Sequence, residues 1–203
     1  MSFLRILSPG LFTTVQDLGR PGHAALGIAA CGAADTVALR IGNRLVGSAA
    51  GTAALEMTLL GATVQFVAAT WIALAGADCA ASRSGATGEA CRVPMWTALP
   101  VAAGDILRCG AIHNGARTYL CIAGGIDVPQ VLGSAATHVR SGLGGFYGRA
   151  LRAGDELKVA ASPAAPHPAH LTPAALPLLY PRTTPRCLRI TEGPQLFSAA
   201  TLA

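Results

Sequence analysis

Short apolar runs separated by glycine and proline turns dominate this chain, and most suit β-strands. Phe3 to Leu7 alternates around Arg5 and closes on Ser8-Pro9-Gly10. Thr13 to Gln16 and Ala53 to Thr58 are β-prone, as are short segments around Val93, Val101 and Leu107. Met57 to Ala77 holds no charged residue over 21 positions, long enough to cross a bilayer. Gly61 and Gly76 interrupt it, Gln65 and several threonines intervene, and β-branched and aromatic residues favour strands. Its pattern therefore predicts two strands, at Val64–Phe66 and Trp71–Leu74, joined by a turn near 68–70, and no membrane span. Tyr119 to Ile122 reads as a buried strand, ended by Gly124 and Gly125 where the backbone turns through positive φ.

One segment carries a clear helical period. Asp35 is placed as an N-cap, Val37, Ala38, Ile41 and Leu45 recur at helical spacing, and Gly47 closes the run. This predicts a helix from Thr36 to Val46 with Asn43 and Arg44 facing water. The phrases Ala103-Gly104-Asp105-Ile106-Leu107 and Ala153-Gly154-Asp155-Glu156-Leu157 repeat one turn-then-strand design, each read as closing a hairpin. Seven prolines between Ser162 and Pro185 argue against a regular helix or central strand there. The expected fold is mainly β with one clear helix. A β-rich domain covers 1–161, a proline-rich linker 162–186, and a lone strand at 187–191 opens the remainder, 187–203, which cannot form a core alone.

Composition narrows the class. With 52% hydrophobic and 12% charged residues in 203, the chain is not disordered. Its +5 charge comes from fourteen arginines and one lysine against ten acids. The arginines are scattered and aromatics are few, which argues against a nucleic-acid partner. Six cysteines show neither CxxC spacing nor a histidine at metal-ligand spacing, so they read as reduced structural thiols and no metal site is expected. MSFLRILSPG is not a secretory signal, and the expected location is the cytoplasm.

Candidate chemistry lies in glycine-rich regions. Asp17-Leu18-Gly19-Arg20-Pro21-Gly22-His23 is a charged turn. Asp17 and Arg20 either form an internal Asp–Arg pair that pins this loop or present a carboxylate and a guanidinium to a pocket, with His23 beside them. Asp127 follows Gly124-Gly125 and is placed to cap a helical turn with Pro129 near its start. Gly142, Gly144, Gly145 and Gly148 surround Phe146 and Tyr147. They either form tight turns or bring backbone N–H groups, Ser134 and Thr137 around a small polar or anionic ligand. The helix start at Asp35 offers a further place for an anion. Glu56, an acid inside an apolar strand, is either on an exposed face or paired. No P-loop, GxSxG elbow or complete metal site is present.

TTVQDLGRPG (Thr13 to Gly22), CGAAD with its helix, NRLVG (Asn43 to Gly47), LEMTLLG (Leu55 to Gly61), AGGIDVPQVLGS (Ala123 to Ser134) and GGFYGRALRAGDEL together resemble one family. It is the allophanate-hydrolase subunit 2, or carboxyltransferase-subdomain, family, which includes one of the subunits of bacterial ATP-dependent 5-oxoprolinase. The resemblance implies a β-barrel or sandwich related to the cyclophilin-like carboxyltransferase subdomain. It also implies a sister carboxyltransferase-like subunit and a larger hydrolase-like subunit as partners. The implied reaction is ATP-driven opening of the cyclic amide of 5-oxoproline to glutamate, with ATP shared with the partners and biotin not required. On that reading Asp17, Arg20 and His23 are the catalytic candidates. Asp35, Gly124, Gly125, Asp127, Ser134 and Thr137 are the substrate-binding candidates. The alternatives are the corresponding part of a biotin-dependent urea carboxylase or allophanate pathway, and a non-catalytic regulator that binds a kinase inhibitor. Two features depart from the family pattern. Ala135-Ala136 stands where members carry Arg-Ser, and a second half is represented only by its opening strand and EGPQ (Glu192 to Gln195). Both lead to the expectation that the isolated chain is inactive.

Overall fold

The computed structural model describes residues 2–85, 88–162 and 168–180. Residues Met1–Leu171 form one compact unit and Thr172–Ala203 a second. The described residues of the first unit form twelve strands and one helix of more than two turns. In chain order these are β1 (Ser2–Ser8), β2 (Phe12–Gln16), α1 (Thr36–Leu45), β3 (Ala54–Thr58), β4 (Thr63–Phe66), β5 (Thr70–Asp78), β6 (Ser82–Ser84), β7 (Ala90–Arg92), β8 (Ala98–Val101), β9 (Ile106–Arg108), β10 (His113–Ile122), β11 (Ile126–Asp127) and β12 (Glu156–Val159).

Two antiparallel sheets result. One has the order β11-β12-β1-β4-β9-β6-β7 and the other β2-β3-β10-β5-β8. Both sheets are open, so the architecture is a packed pair rather than a single closed barrel. One core lies between them: Leu4, Ile6, Val64, Phe66, Leu107 and Leu157 from the first sheet meet Val15, Leu55, Met57, Ile72, Leu74 and Leu120 from the second. Alternation along each strand puts these side chains between the sheets and their neighbours on the opposite face, which on β5 and β10 is buried under α1.

The helix forms where its local signals place it. Asp35 accepts a hydrogen bond from Ala38 N at 2.9 Å, satisfying one of the four free amides of the first turn. Gly47 beyond its end takes φ +73°. Asn43, expected in water, is instead fully buried. Its Nδ2 donates to Ala50 O (3.2 Å) and Thr52 O (2.7 Å), tying α1 to the loop that enters β3.

The two strands predicted on either side of the 68–70 turn form, as β4 and β5, each in a different sheet. Two further expectations need correction. Neither Ala-Gly-Asp turn closes a hairpin: the first carries the chain from β8 in one sheet to β9 in the other, and β12, after the second, pairs with β1 and β11. Asp127 begins no helical turn, because Ile126 and Asp127 pair with Val159 and Lys158 as a short edge strand.

The repeated Ala-Gly-Asp phrase does have one structure. Asp105 Oδ2 accepts from Ala102 N at 2.9 Å and Asp155 Oδ2 from Arg152 N at 2.8 Å. Each turn then exchanges two backbone hydrogen bonds with a neighbouring strand, the first through Phe66 of β4 and the second through Ile6 of β1. Arg149 makes a two-pronged ion pair with Asp155 (2.7 and 2.8 Å) and holds that carboxyl below its usual range. Such a group stabilises the fold above the ordinary carboxylate pKa, and the contribution is lost as pH falls through the lowered one. Asp155→Asn should therefore cost about 1–2 kcal/mol at pH 7. In denaturant melts the gap from wild type should close as pH falls below about 4. A gap that widens on acidification would contradict the pairing.

In the second unit, Pro173–Ala175 forms a 3-10 turn and Leu176–Leu179 a single helical turn, α2. Pro173 and Pro177 occupy first-turn positions, where a missing N–H is tolerated, so the proline-rich stretch is not extended throughout. The expected strand at Cys187–Thr191 lies outside the described residues. Among the described residues no helix is long and apolar enough to cross a membrane.

Candidate functional site

The outer face of β11, β12 and β1 forms the floor of a 720 Å³ cleft. Leu157 and Leu4 point into the core, so strand alternation turns Glu156, Lys158 and Phe3 outward. Asp127, Lys158 and Phe3 stand side by side on the three strands. Glu156 is held by Arg5, whose Nε and Nη2 both donate to its Oε1 at 2.9 and 2.6 Å. Asp127 and Lys158 form no ion pair with each other or with another described residue.

Glycine-rich residues 142–148 make the cleft wall. Phe146 and Tyr147 meet edge to face with ring centres 4.6 Å apart, and Arg149 stacks on both rings at 5.4 and 5.9 Å. The Arg149–Asp155 pair thereby fixes the aromatic wall. Gly144 is required by space as well as by its φ of +65°: a Cβ there would collide with Ala136 O and stand 2.6 Å from Arg20 Nη2.

Of the two readings of this glycine cluster the structure bears out tight turns: four of the seven amides of residues 142–148 bond backbone carbonyls rather than converging on a ligand. Gly142 N donates to Val139 O, Leu143 N to His138 O, Gly145 N to Ala135 O and Gly148 N to Gly144 O. Amides spent in this way do not form a phosphate cradle. Among the described residues no group of three His, Cys, Asp or Glu side chains is placed to hold a metal ion.

Asp17 and Arg20 are buried and pin internal structure. Asp17 Oδ1 accepts from Gly19 N and Ser134 Oγ, and its Oδ2 from Ala135 N, all at 2.7 Å. Arg20 is 1% exposed; its Nε donates to Val131 O at 3.1 Å and its Nη2 to Ala136 O. They do not pair with each other. Instead both bond residues 131–136, the segment against which Gly144 and Gly145 of the cleft wall pack. Ser134 and Thr137 are buried with them: Ser134 Oγ also accepts from Ala136 N, and Thr137 Oγ1 donates to Val15 O at 2.8 Å.

The remaining candidates are dispersed. His23 precedes a surface 3-10 turn at Ala24–Leu26, and its carbonyl accepts from Leu26 N. Asp35 caps α1. Gly124 N donates to Ser48 Oγ, while Gly125 packs against Thr52 and Ala53, so their neighbours differ from those of Asp17 and Arg20. Of the nine candidates, Asp127 alone lines the cleft.

Residues 26–203 match the family model described as carboxyltransferase domain, subdomain A and B. This chain belongs to that family. Among relatives, a 5-oxoprolinase subunit of Escherichia coli is 45% identical over 161 residues, covering 78% of this chain and 50% of that protein. The urea amidolyase of Saccharomyces cerevisiae is 37% identical over 155 residues, covering 76% of this chain and 8% of that protein. Among solved structures, the Kluyveromyces lactis urea amidolyase superposes with a TM-score of 0.75 at 35% identity, over 86% of this chain and 11% of that one. The chain thus spans half the length of the E. coli protein.

In this carboxyltransferase-family chain the Ala135-Ala136 departure falls on the segment gripped by Asp17 and Arg20. Both methyl groups are buried, and the bonds to Asp17 and Arg20 use backbone atoms, so the alanines do not disturb them. Glu56 proves to be paired: it accepts from Tyr119 OH (2.7 Å) and Ala34 N (2.8 Å) and faces Arg117 Nε at 3.4 Å. Burial, and then the Glu56 carboxylate, push the Tyr119 hydroxyl far above its ordinary pKa. Sequence reasoning missed Lys158, Phe3 and Glu156. The available signal was the sole lysine, close beyond the second Ala-Gly-Asp turn and on the polar face of an alternating strand.

Proposed function

We propose that this chain is a subunit of an ATP-dependent 5-oxoprolinase, opening the cyclic amide of 5-oxoproline to glutamate together with partner subunits in the cytoplasm. The observation that carries this reading is the 45% identity with the E. coli 5-oxoprolinase protein. Lactam opening needs an activated carbonyl and stabilisation of a developing oxyanion. The described residues supply a cleft with an acid, a base and an aromatic wall, which suits binding and orienting a small polar ring. Nucleotide binding and carbonyl activation are assigned to the sister carboxyltransferase-like subunit and the larger hydrolase-like subunit, since four of the glycine-loop amides are turned onto the loop's own backbone or its neighbours.

The likeness to the K. lactis urea amidolyase favours a second reading, the carboxyltransferase part of a biotin-dependent urea carboxylase. Reconstitution separates the two. Purified chain mixed with both partner subunits, ATP and 5-oxoproline should release glutamate, and the chain alone should release none. Urea-dependent ATP consumption with a biotin-carrying partner, without glutamate from 5-oxoproline, would select the second reading.

A further inference from the structure

We propose that the cleft over β11, β12 and β1 is selective for a small lactam carboxylate, with Lys158 binding the carboxylate and Asp127 accepting the ring N–H. This rests on the 5-oxoprolinase reading and assigns the binding groups within it. The neighbouring strands place Asp127 and Lys158 directly opposite each other. Residues so placed have Cβ atoms about 5 Å apart, close enough for one small molecule to bridge both side chains. Neither is consumed by an ion pair among the described residues, whereas Glu156 in the same cleft is held by Arg5. The acid and base that remain available are therefore one of each sign, side by side.

A molecule that satisfies both must carry a donor and an anionic acceptor on adjacent atoms. A lactam whose ring nitrogen neighbours a carboxylate-bearing carbon has that arrangement. Phe3 beside Lys158 and the Phe146–Tyr147 pair across the cleft offer apolar surface to the ring methylenes. Behind the wall, Arg20 adds a fixed positive charge. Among the described residues its Nη1 has no hydrogen-bond partner and no carboxylate pairs with it, Asp17 being bonded instead to Ser134 and Ala135, and its Nη2 would stand 2.6 Å from a Cβ on Gly144. A guanidinium separated from the cleft only by a bare glycine favours an anion there over a neutral ligand. Urea carries no anionic group, so its carbonyl could accept a hydrogen bond from Lys158 but not neutralise its charge.

The chain supplies its own reporter, because Lys158 is its only lysine. Lysine labelled with carbon-13 at Cε gives one side-chain signal in the 203-residue chain. Titration with 5-oxoproline should move that signal saturably, while 2-pyrrolidinone, the same ring without the carboxylate, and urea should leave it in place. Lys158→Gln should weaken 5-oxoproline binding at least tenfold and Asp127→Ala severalfold, both measured by calorimetry. Both positions are exposed on the strand face, so both variants should keep the wild-type melting temperature. A Lys158 signal that stays still at saturating 5-oxoproline, or moves equally with 2-pyrrolidinone, overturns the assignment. Turnover by the reconstituted complex separates this inference from the functional reading. If the complex makes glutamate and Lys158→Gln leaves KM unchanged, the inference falls and the reading stands. If the complex makes none while 5-oxoproline still moves Lys158, the reading falls and the carboxylate site stands.

Discussion

Arg20→Ala should lower the melting temperature by ~10 °C for a chain of this size, through a loss of roughly 4 kcal/mol. The side chain is 1% exposed and among the largest that are fully buried. Its removal strips the Val131 and Ala136 carbonyls of their donor and opens a cavity behind the cleft wall. A buried carbonyl left unpaired costs about 1–3 kcal/mol, and the cavity adds to that. Arg20→Lys keeps the charge and loses the fork, so it should fall between alanine and wild type. Thermal melts of the three proteins check this order. Should Arg20→Ala melt within about 2 °C of wild type while abolishing turnover in the complex, the guanidinium would act on substrate and its structural role would be wrong.

Gly144→Ala is expected to cost roughly 3 kcal/mol and to abolish ligand binding in the cleft. Two causes add. At φ +65° an alanine is strained by about 1–2 kcal/mol, and its Cβ meets the Ala136 carbonyl oxygen. Relief requires the loop to move away from the 131–136 segment, which shifts Phe146 and Tyr147 with it. Gly133→Ala is the control. Gly133 also has positive φ (+75°), but a Cβ there has nothing within 4 Å. It should lose only the strain energy and keep the cleft. Equal effects of the two substitutions on binding would show that backbone strain alone, and not the wall, is at issue.

Elements encoded by near neighbours are readable from the sequence, and those encoded by distant ones are not. Helix α1 follows from Asp35, the spacing of Val37 through Leu45, and Gly47, all within a few turns. Strand positions follow from alternation, which each strand carries alone. Strand pairing does not: the apolar pattern of β4 and β5 is the same whether they share a sheet or face each other across the core. Asn43 reads as solvated because the carbonyls it serves, at Ala50 and Thr52, carry no mark in the sequence. The charged turn at Asp17–Arg20 stands out by its residues, and the pair it suggests does not form: the side chains instead hold backbone elsewhere in the loop and in residues 131–136. What decides its role lies 111 to 118 residues away, in the backbone of Val131 and the Ser134–Ala135 pair. Lys158 escapes notice for the opposite reason. A lone lysine on a strand is ordinarily solvated surface, and only the register with Asp127 and Phe3 and the covering glycine loop make a cleft of that face.

Amide chemical-shift mapping distinguishes ligand binding in the cleft from binding at the Asp17–Arg20 turn. The full-length protein, uniformly labelled with nitrogen-15, would be titrated with 5-oxoproline. Binding in the cleft predicts shifts concentrated in Asp127–Val128, Gly142–Gly148 and Glu156–Lys158, with little change at Gly19, Gly124 or Gly125. Shifts centred on Gly19–His23 and Gly124–Gly125, with the 142–148 loop unmoved, would contradict it.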